Sequence, residues 1–224
     1  MKTKKLIIVG DSAFAEIAYE YFDADSDYEV VAFSVERAFQ KKVELFGLPV
    51  VAFEDLRKKF KPSTHYVYVA AVYTQLNRLR TRLAENAKSM GYMLASYVSS
   101  RAFIWRNVEV GEHCFIFEDN TVQPFTEIKN NVVLWSGNHI GHHSIIRSNC
   151  FIASHVVISG FCDVGENSFI GVNATLANNL RIGKDNWIGP NVVITKDTEE
   201  GNLYKADQAE PAKISAPRFF KIKQ

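Results

Sequence analysis

From Val98 to Ile194 an aliphatic side chain returns at every sixth position without a slip, through Ile104, Val110 and Ile116 to Leu176, Ile182 and Ile188, 17 matches in succession. Four residues after each comes a second series of smaller side chains, among them Ala102, Cys114, Asn120, Thr126, Asn138, Ser144, Cys150, Cys162 and Ala174. A period of six fits neither a 3.6-residue helix nor a plain alternating strand. It predicts a solenoid of short strands in which each repeat buries one large and one smaller side chain. Residues 5–97 have another texture. A β-rich run over Leu6–Val9 ends in Gly10, and an amphipathic helix follows over 13–22. A second strand is predicted over 29–33, a short helix over 54–60, a third strand over 66–71, and a long helix over 75–90 closed by Gly91. Strands alternating with helices imply a small parallel sheet with right-handed crossovers, whose ligands bind beyond the carboxyl ends of the strands. The chain therefore divides into 1–97, an α/β unit; 98–199, an all-β solenoid; and 200–224, a tail.

The repeat phase assigns residues before any chemistry is considered. Cys114, Cys150 and Cys162 all fall in the smaller inward series, so they read as compact core residues and not as nucleophiles or metal ligands. Three cysteines with no close pair also argue against a disulfide framework. Asn120 and Asn138 point inward one coil apart and are expected to form an amide ladder inside the solenoid. The formal charge of +1 supplies no basic surface for a nucleic acid or a membrane. No apolar run approaches the roughly 18 residues needed to span a bilayer. Asp11 and Glu16 follow the first apolar run where a signal peptide would stay apolar, so a cytoplasmic protein is expected. The turn from Gly10 to Ala15 lacks the second and third glycines of GxGxxG, and no acidic residue closes the predicted second strand. Both points disfavour NAD binding and an oxidoreductase.

Four of the six histidines, His139, His142, His143 and His155, cluster within 17 residues. A neutral imidazole suits general-base proton transfer near pH 7, so the cluster is the chain's candidate for acid–base chemistry. The phase puts His142 two residues after Ile140, at a corner, over Pro124 and under Gly160 at 18-residue spacing. A solvated corner histidine is the plain alternative. His155 reads equally as a second cleft residue or a structural one, and His65 and His113 lie outside the cluster. No carboxylate or thiolate supports a metal at this corner, so none is expected.

Through "VGENSF", "IGVNAT", "IGKDNW" and "IGPNVV" the second half resembles the hexapeptide-repeat acyltransferases. That resemblance implies a left-handed parallel β-helix with three hexads per coil, assembled as a homotrimer. With a Rossmann-like domain in front, the chain is most similar to bacterial N-acetyltransferases of nucleotide-linked 4-amino-4,6-dideoxyhexoses, which serve surface-glycan (O-antigen) biosynthesis. "GDSAFAEIAYEYF", "YTQLNRLR", "ASYVSSRAFIWRNVEVG" and "LWSGNHIGHHS" carry that likeness. It implies acetyl-CoA as co-substrate and nucleotide contacts at Ser12, Ala13 and Phe14, at Ser34, Val35 and Glu36, and at Val72 and Tyr73. It also implies that His142 is the general base and that Phe151, Val172 and Pro190 contact the pantetheine. His143 stands where the family carries Glu or Asp, leaving Asn138, His139 or a partner's carboxylate to orient the base. The tail departs from the usual Tyr-x-Gly-x-Pro-Ala ending between Tyr204 and Lys213. Sugar O-acetylation and a non-catalytic nucleotide-sugar scaffold remain as alternative readings.

Overall fold

A computed structural model describes residues 2–222. The first domain is built on strands β1 (Lys4–Val9), β2 (Tyr28–Val35), β3 (Glu44–Leu45), β4 (Leu48–Ala52), β5 (His65–Val69) and β6 (Met93–Leu94). Their order is β3-β4-β2-β1-β5-β6, parallel except for the β3–β4 hairpin. Leu6 and Ile8 are buried on one face of β1 and Ile7 and Val9 on the other, as a sheet covered on both sides requires. Helix α1 (Ala13–Ala24) covers one face, and the short α2 (Leu56–Lys59) with α3 (Arg78–Ser89) covers the other.

Several elements differ from the sequence reading. β2 runs on to Val35, so Glu36 does close it, at the position where an acid was thought missing. The β3–β4 hairpin was not foreseen, because a central proline (Pro49) and a glycine (Gly47) mask its alternation. α3 starts at Arg78, three residues later than expected, since Gln75, Leu76 and Asn77 all take left-handed backbone angles.

The second domain is a left-handed β-helix of two-residue strands, one per hexad, stacked into three parallel faces. The strand at Phe115–Ile116 shows the unit: Ile116 points into the prism and Phe115 out of it. The aliphatic series fills one continuous core, and Cys114, Cys150 and Cys162 lie buried in it without disulfides. Each thiol donates to a backbone carbonyl, and burial pushes the Cys114 thiol up to about 11 and that of Cys150 up to about 12. Asn120 and Asn138 both point inward but do not form the expected amide ladder: both side-chain amides donate to Trp135 O instead of to each other, and Asn120 Oδ1 has no protein partner. The first rung is Tyr97–Val98, and the last, Leu203–Tyr204, lies past residue 199. Tyr204 pairs with Ile188 across 16 residues instead of 18, so the strict six-residue comb reads Ala206 there and loses the final rung.

One face carries a column the six-residue pattern leaves unread. Tyr97, Phe115, Val133, Phe151, Phe169 and Trp187 recur at 18-residue spacing and point outward. The first domain sits on them through Phe14, Phe22 and Tyr68, with Phe14–Phe115 ring centroids 5.8 Å apart and Tyr68–Phe115 5.2 Å. The two domains thus share a buried aromatic seam.

Candidate active site

The first domain opens a cavity of about 450 Å³ beyond the carboxyl ends of β1, β2 and β5. Gly10 makes it possible: its φ is +133°, and a Cβ there would stand 2.9 Å from Ala70 O. Of the eight nucleotide-contact candidates, Ser12, Ser34, Val35, Glu36 and Val72 line the cavity. Ser34 is fully buried, and its Oγ has no protein partner. Both oxygens of Glu36 accept from Arg82, at 2.7 and 2.9 Å, and this guanidinium holds the carboxyl below its usual range. Phe14 does not line the cavity: its ring is buried in the seam against Phe115 and Trp135. Ala13 also lies outside the lining.

A second cavity, about 340 Å³, opens on the β-helix side of the same wall. Val72 lines both cavities. Tyr73, Phe151, Val172 and Pro190 meet in the second one, so the structure brings together the pantetheine candidates with part of the nucleotide set. Phe151 is almost fully buried, its ring 5.2 Å from that of Tyr73, so it serves as floor. Trp135, in the same wall, keeps a buried indole N–H with no protein partner.

His142 and His143 occupy a corner of the β-helix, exposed, with their Nδ1 atoms 3.1 Å apart. Two ring nitrogens in contact share one proton, so one imidazole donates and the other accepts. His143 lies sandwiched between Phe125 and Phe161, 4.7 and 4.8 Å from their ring centroids. All three residues have φ near +60°, rare for bulky side chains. The His142 backbone N–H donates to Gln123 Oε1, and its ring covers Gly160, where a Cβ would stand 2.9 Å from Nε2. His155 sits at a different corner, over Gly137, and so does not join this pair. Asn138, offered by the sequence as a partner for the base beside the sugar, is a core residue: it is buried, its amide donates to Trp135 O, and its carbonyl accepts from Val156 N–H. It is therefore committed and cannot orient His142.

Arg82, Gln75 and Trp135 are lining residues the sequence reading passed over. Gln75 lies in the quoted "YTQLNRLR" phrase, and Trp135 sits one residue beyond the inward Leu134, a register that was visible but unused. Among the described residues, no group of three or more His, Cys, Asp or Glu side chains could hold a metal ion, and no helix is long and apolar enough to cross a membrane.

Comparison with known proteins places this geometry. The family model for the bacterial transferase hexapeptide (six repeats) matches residues 125–160, the segment that contains His142. No curated protein matches the chain in sequence. Among solved structures, the acetyltransferase domain of PglB from Neisseria gonorrhoeae is 22% identical with a TM-score of 0.81, over 89% of this chain and 95% of that one. PerB from Caulobacter crescentus, in complex with CoA and GDP-perosamine, is 22% identical with a TM-score of 0.78, over 89% and 92%. WeeI from Acinetobacter baumannii is 21% identical with a TM-score of 0.70, over 90% and 96%. At these identities the likeness establishes the fold, across both domains.

Proposed function

We propose that this chain is an acetyl-CoA-dependent N-acetyltransferase acting on the amino group of a nucleotide-linked amino-deoxy sugar, a 4-amino-4,6-dideoxyhexose in the reading favoured by its sequence. The observation that carries the proposal is the wall at Val72, which separates a cavity at the strand ends from one on the β-helix. A nucleotide in the first would direct its sugar past Val72 toward an acetyl thioester held in the second. The unpaired Ser34 hydroxyl and Trp135 indole N–H give each cavity a polar contact. PerB, the Caulobacter crescentus relative in fold, is described with CoA and a nucleotide-linked amino sugar together.

The chemistry follows from the imidazole pair. The sugar nitrogen attacks the thioester carbonyl, the carbon–sulfur bond breaks, and the proton that His142 removes from the nitrogen is returned to the departing sulfur, so that CoA leaves as the thiol. His142 takes the ammonium proton through Nε2 while its Nδ1–H donates to Nδ1 of His143. His143 thereby does the orienting work of the usual carboxylate, held face to face between the two phenylalanines. Being neutral, it fixes the tautomer of His142 but stabilises the imidazolium less than a carboxylate would.

Within one chain His142 cannot serve these cavities. Ser154 in the second cavity and Gly160 under His142 are six residues apart on successive corners, about 15–20 Å of near-extended chain. A second copy, in the trimer the resemblance implies, would bring its His142 corner to the cavity of its neighbour. Incubation with acetyl-CoA and a panel of UDP-, dTDP- and GDP-linked amino sugars, following thiol release, tests the function. Release above the hydrolysis rate with at least one amino sugar, and none with its hydroxyl analogue, is the expected result. Turnover of the hydroxyl analogue alone would convert the reading to O-acetylation, and no release with any acceptor would leave the scaffold reading.

A further inference from the structure

The wall between the two cavities is held in a costly conformation, and the side chains that hold it are buried. Gln75, Leu76 and Asn77 have φ of 53°, 49° and 67°, three successive left-handed residues with no glycine among them. Left-handed backbone is unfavourable for residues with a Cβ, and strain of this kind persists only where surrounding contacts over-determine it. Here the contacts converge from the β-helix. Asn77, fully buried, donates through Nδ2 to Asn167 O at 3.0 Å and Ser168 O at 3.4 Å. Its Oδ1 accepts from Arg80 at 3.1 Å.

Arg80 is the largest fully buried side chain among the described residues, and none of its hydrogen bonds goes to a carboxylate. One terminal nitrogen donates to Ala71 O and Val72 O in the wall, both at 3.3 Å. The other donates to Asn131 O, Asn149 O and Cys150 O on two successive coils, and Nε donates to Asn131 Oδ1 at 3.0 Å. Burial lowers its pKa to about 10, which leaves it charged at neutral pH. A buried cation satisfied only by carbonyls is a poor way to gain stability, since its desolvation is not offset by an opposite charge. It is a good way to fix five backbone carbonyls and two side-chain amides at once.

We propose that Arg80 and Asn77 are positioning residues: a clasp that locks the Val72–Asn77 segment onto the β-helix and so sets the aperture between the nucleotide and thioester cavities. Neither side chain lines the cavities; both act through Val72, Tyr73 and Gln75, which do. The kinetic side of this inference rests on the function proposed above, whereas the mechanical side does not.

Three substitutions test it: Asn77→Gly, Arg80→Lys and Arg80→Met. Asn77→Gly is the cleanest, because glycine accepts the left-handed angle while removing the amide. Without any ligand, hydrogen exchange in peptides spanning 70–80 is expected to accelerate at least tenfold in Asn77→Gly, with peptides of 110–190 unchanged. With substrate, the KM for the nucleotide sugar is expected to rise at least tenfold, while kcat at saturation and the KM for acetyl-CoA stay within about threefold. Arg80→Lys should lie between wild type and Arg80→Met in both readouts. Unchanged exchange at 70–80 in folded Asn77→Gly overturns the clasp, whether or not the protein transfers acetyl groups. A lowered melting temperature with all KM values unchanged also overturns it, because it reduces both residues to ordinary stabilisers. Should Arg80→Met fail to fold, Asn77→Gly and Arg80→Lys carry the test alone.

Discussion

The contact between His142 and His143 assigns one proton to a pair of rings, and that single proton decides what either can do. If His142 keeps it on Nδ1, its Nε2 lone pair faces outward over Gly160 as a base. His142→Ala should then lower kcat about 10²- to 10⁴-fold with little change in the KM for acetyl-CoA. His143→Ala should cost less, since a water can accept the Nδ1–H, and steady-state kinetics on the two variants separates the roles. Gly160→Ala should behave like a weakened His142→Ala, because the new methyl would fall 2.9 Å from the imidazole and displace it. Near-normal turnover in His142→Ala would remove the mechanism. The phase of the repeat placed His142 at a corner from the sequence alone; its contact with His143 was not legible, since it depends on Phe125 and Phe161 stacking on His143 at left-handed corners. His113, passed over as unremarkable, is fully buried, with Nε2 accepting from Val69 N–H and Nδ1–H donating to Asn131 Oδ1. Burial, with Arg80 nearby, pushes its pKa from 6.5 down to about 3. The unfolded chain therefore binds a proton that the folded one refuses. Stability is full above pH 6.5 and declines as pH falls toward 3, by about 1.4 kcal/mol per unit. Urea titrations of wild type and His113→Gln across that range should show a shallower acid limb for the variant.

At the scale of elements, each rung of the β-helix gains its stability from the rungs above and below it, so position in the stack predicts the cost of a mutation. Ile140 is fully buried between Ile158 and Val122 on its face, whereas Val98 on the first rung is 41% exposed. Ile140→Ala should destabilise by about 2–5 kcal/mol, and Val98→Ala by well under 1 kcal/mol, as chemical denaturation would register. Equal costs would mean that the solenoid unfolds from somewhere other than its ends. The same stacking explains why so much of this domain could be read in advance. A strand of two residues leaves one side chain inside and one outside, and the inside set repeats with no exceptions for 17 hexads. What escaped was the information in the outside set. The column from Tyr97 to Trp187 is aromatic because another domain covers it, and burial by a neighbouring domain leaves no local period of six. In the first domain β1, β2, β5 and the three helices were placed to within a few residues, whereas β3, β4 and β6 were not foreseen. The start of α3 was missed because its last loop residues are held left-handed by the bonds of the Asn77 amide to backbone carbonyls of a distant corner, a constraint that local propensity does not record.

For the whole molecule the decisive fact is that one chain holds its candidate base and its cavities on different corners of the same prism. Ser154 belongs to the wall of the second cavity, and His142 stands over Gly160 on the next corner. If a functional site forms only where two prisms meet, each site takes its imidazole from one subunit and its cavities from another. Two separately inactive variants should then repair each other. The first is His142→Ala, which keeps both cavities. The second is Ser34→Trp, whose indole would fill the nucleotide cavity and leave the His142–His143 corner intact. Mixed before assembly in equal amounts, they distribute at random among three positions. A site is whole only where an intact imidazole meets an intact cavity, so about one site in four should work. The mixture should recover roughly a quarter of wild-type kcat per site, with an unaltered KM for acetyl-CoA. Mixing after assembly should recover nothing until subunits exchange, and this control distinguishes shared sites from residual activity in either parent. A trimer that shows no recovery when co-assembled would mean that each chain completes its own site. The His142 corner would then need some other route to the Val72 wall, and the assignment of the base would fall before the assignment of the cavities.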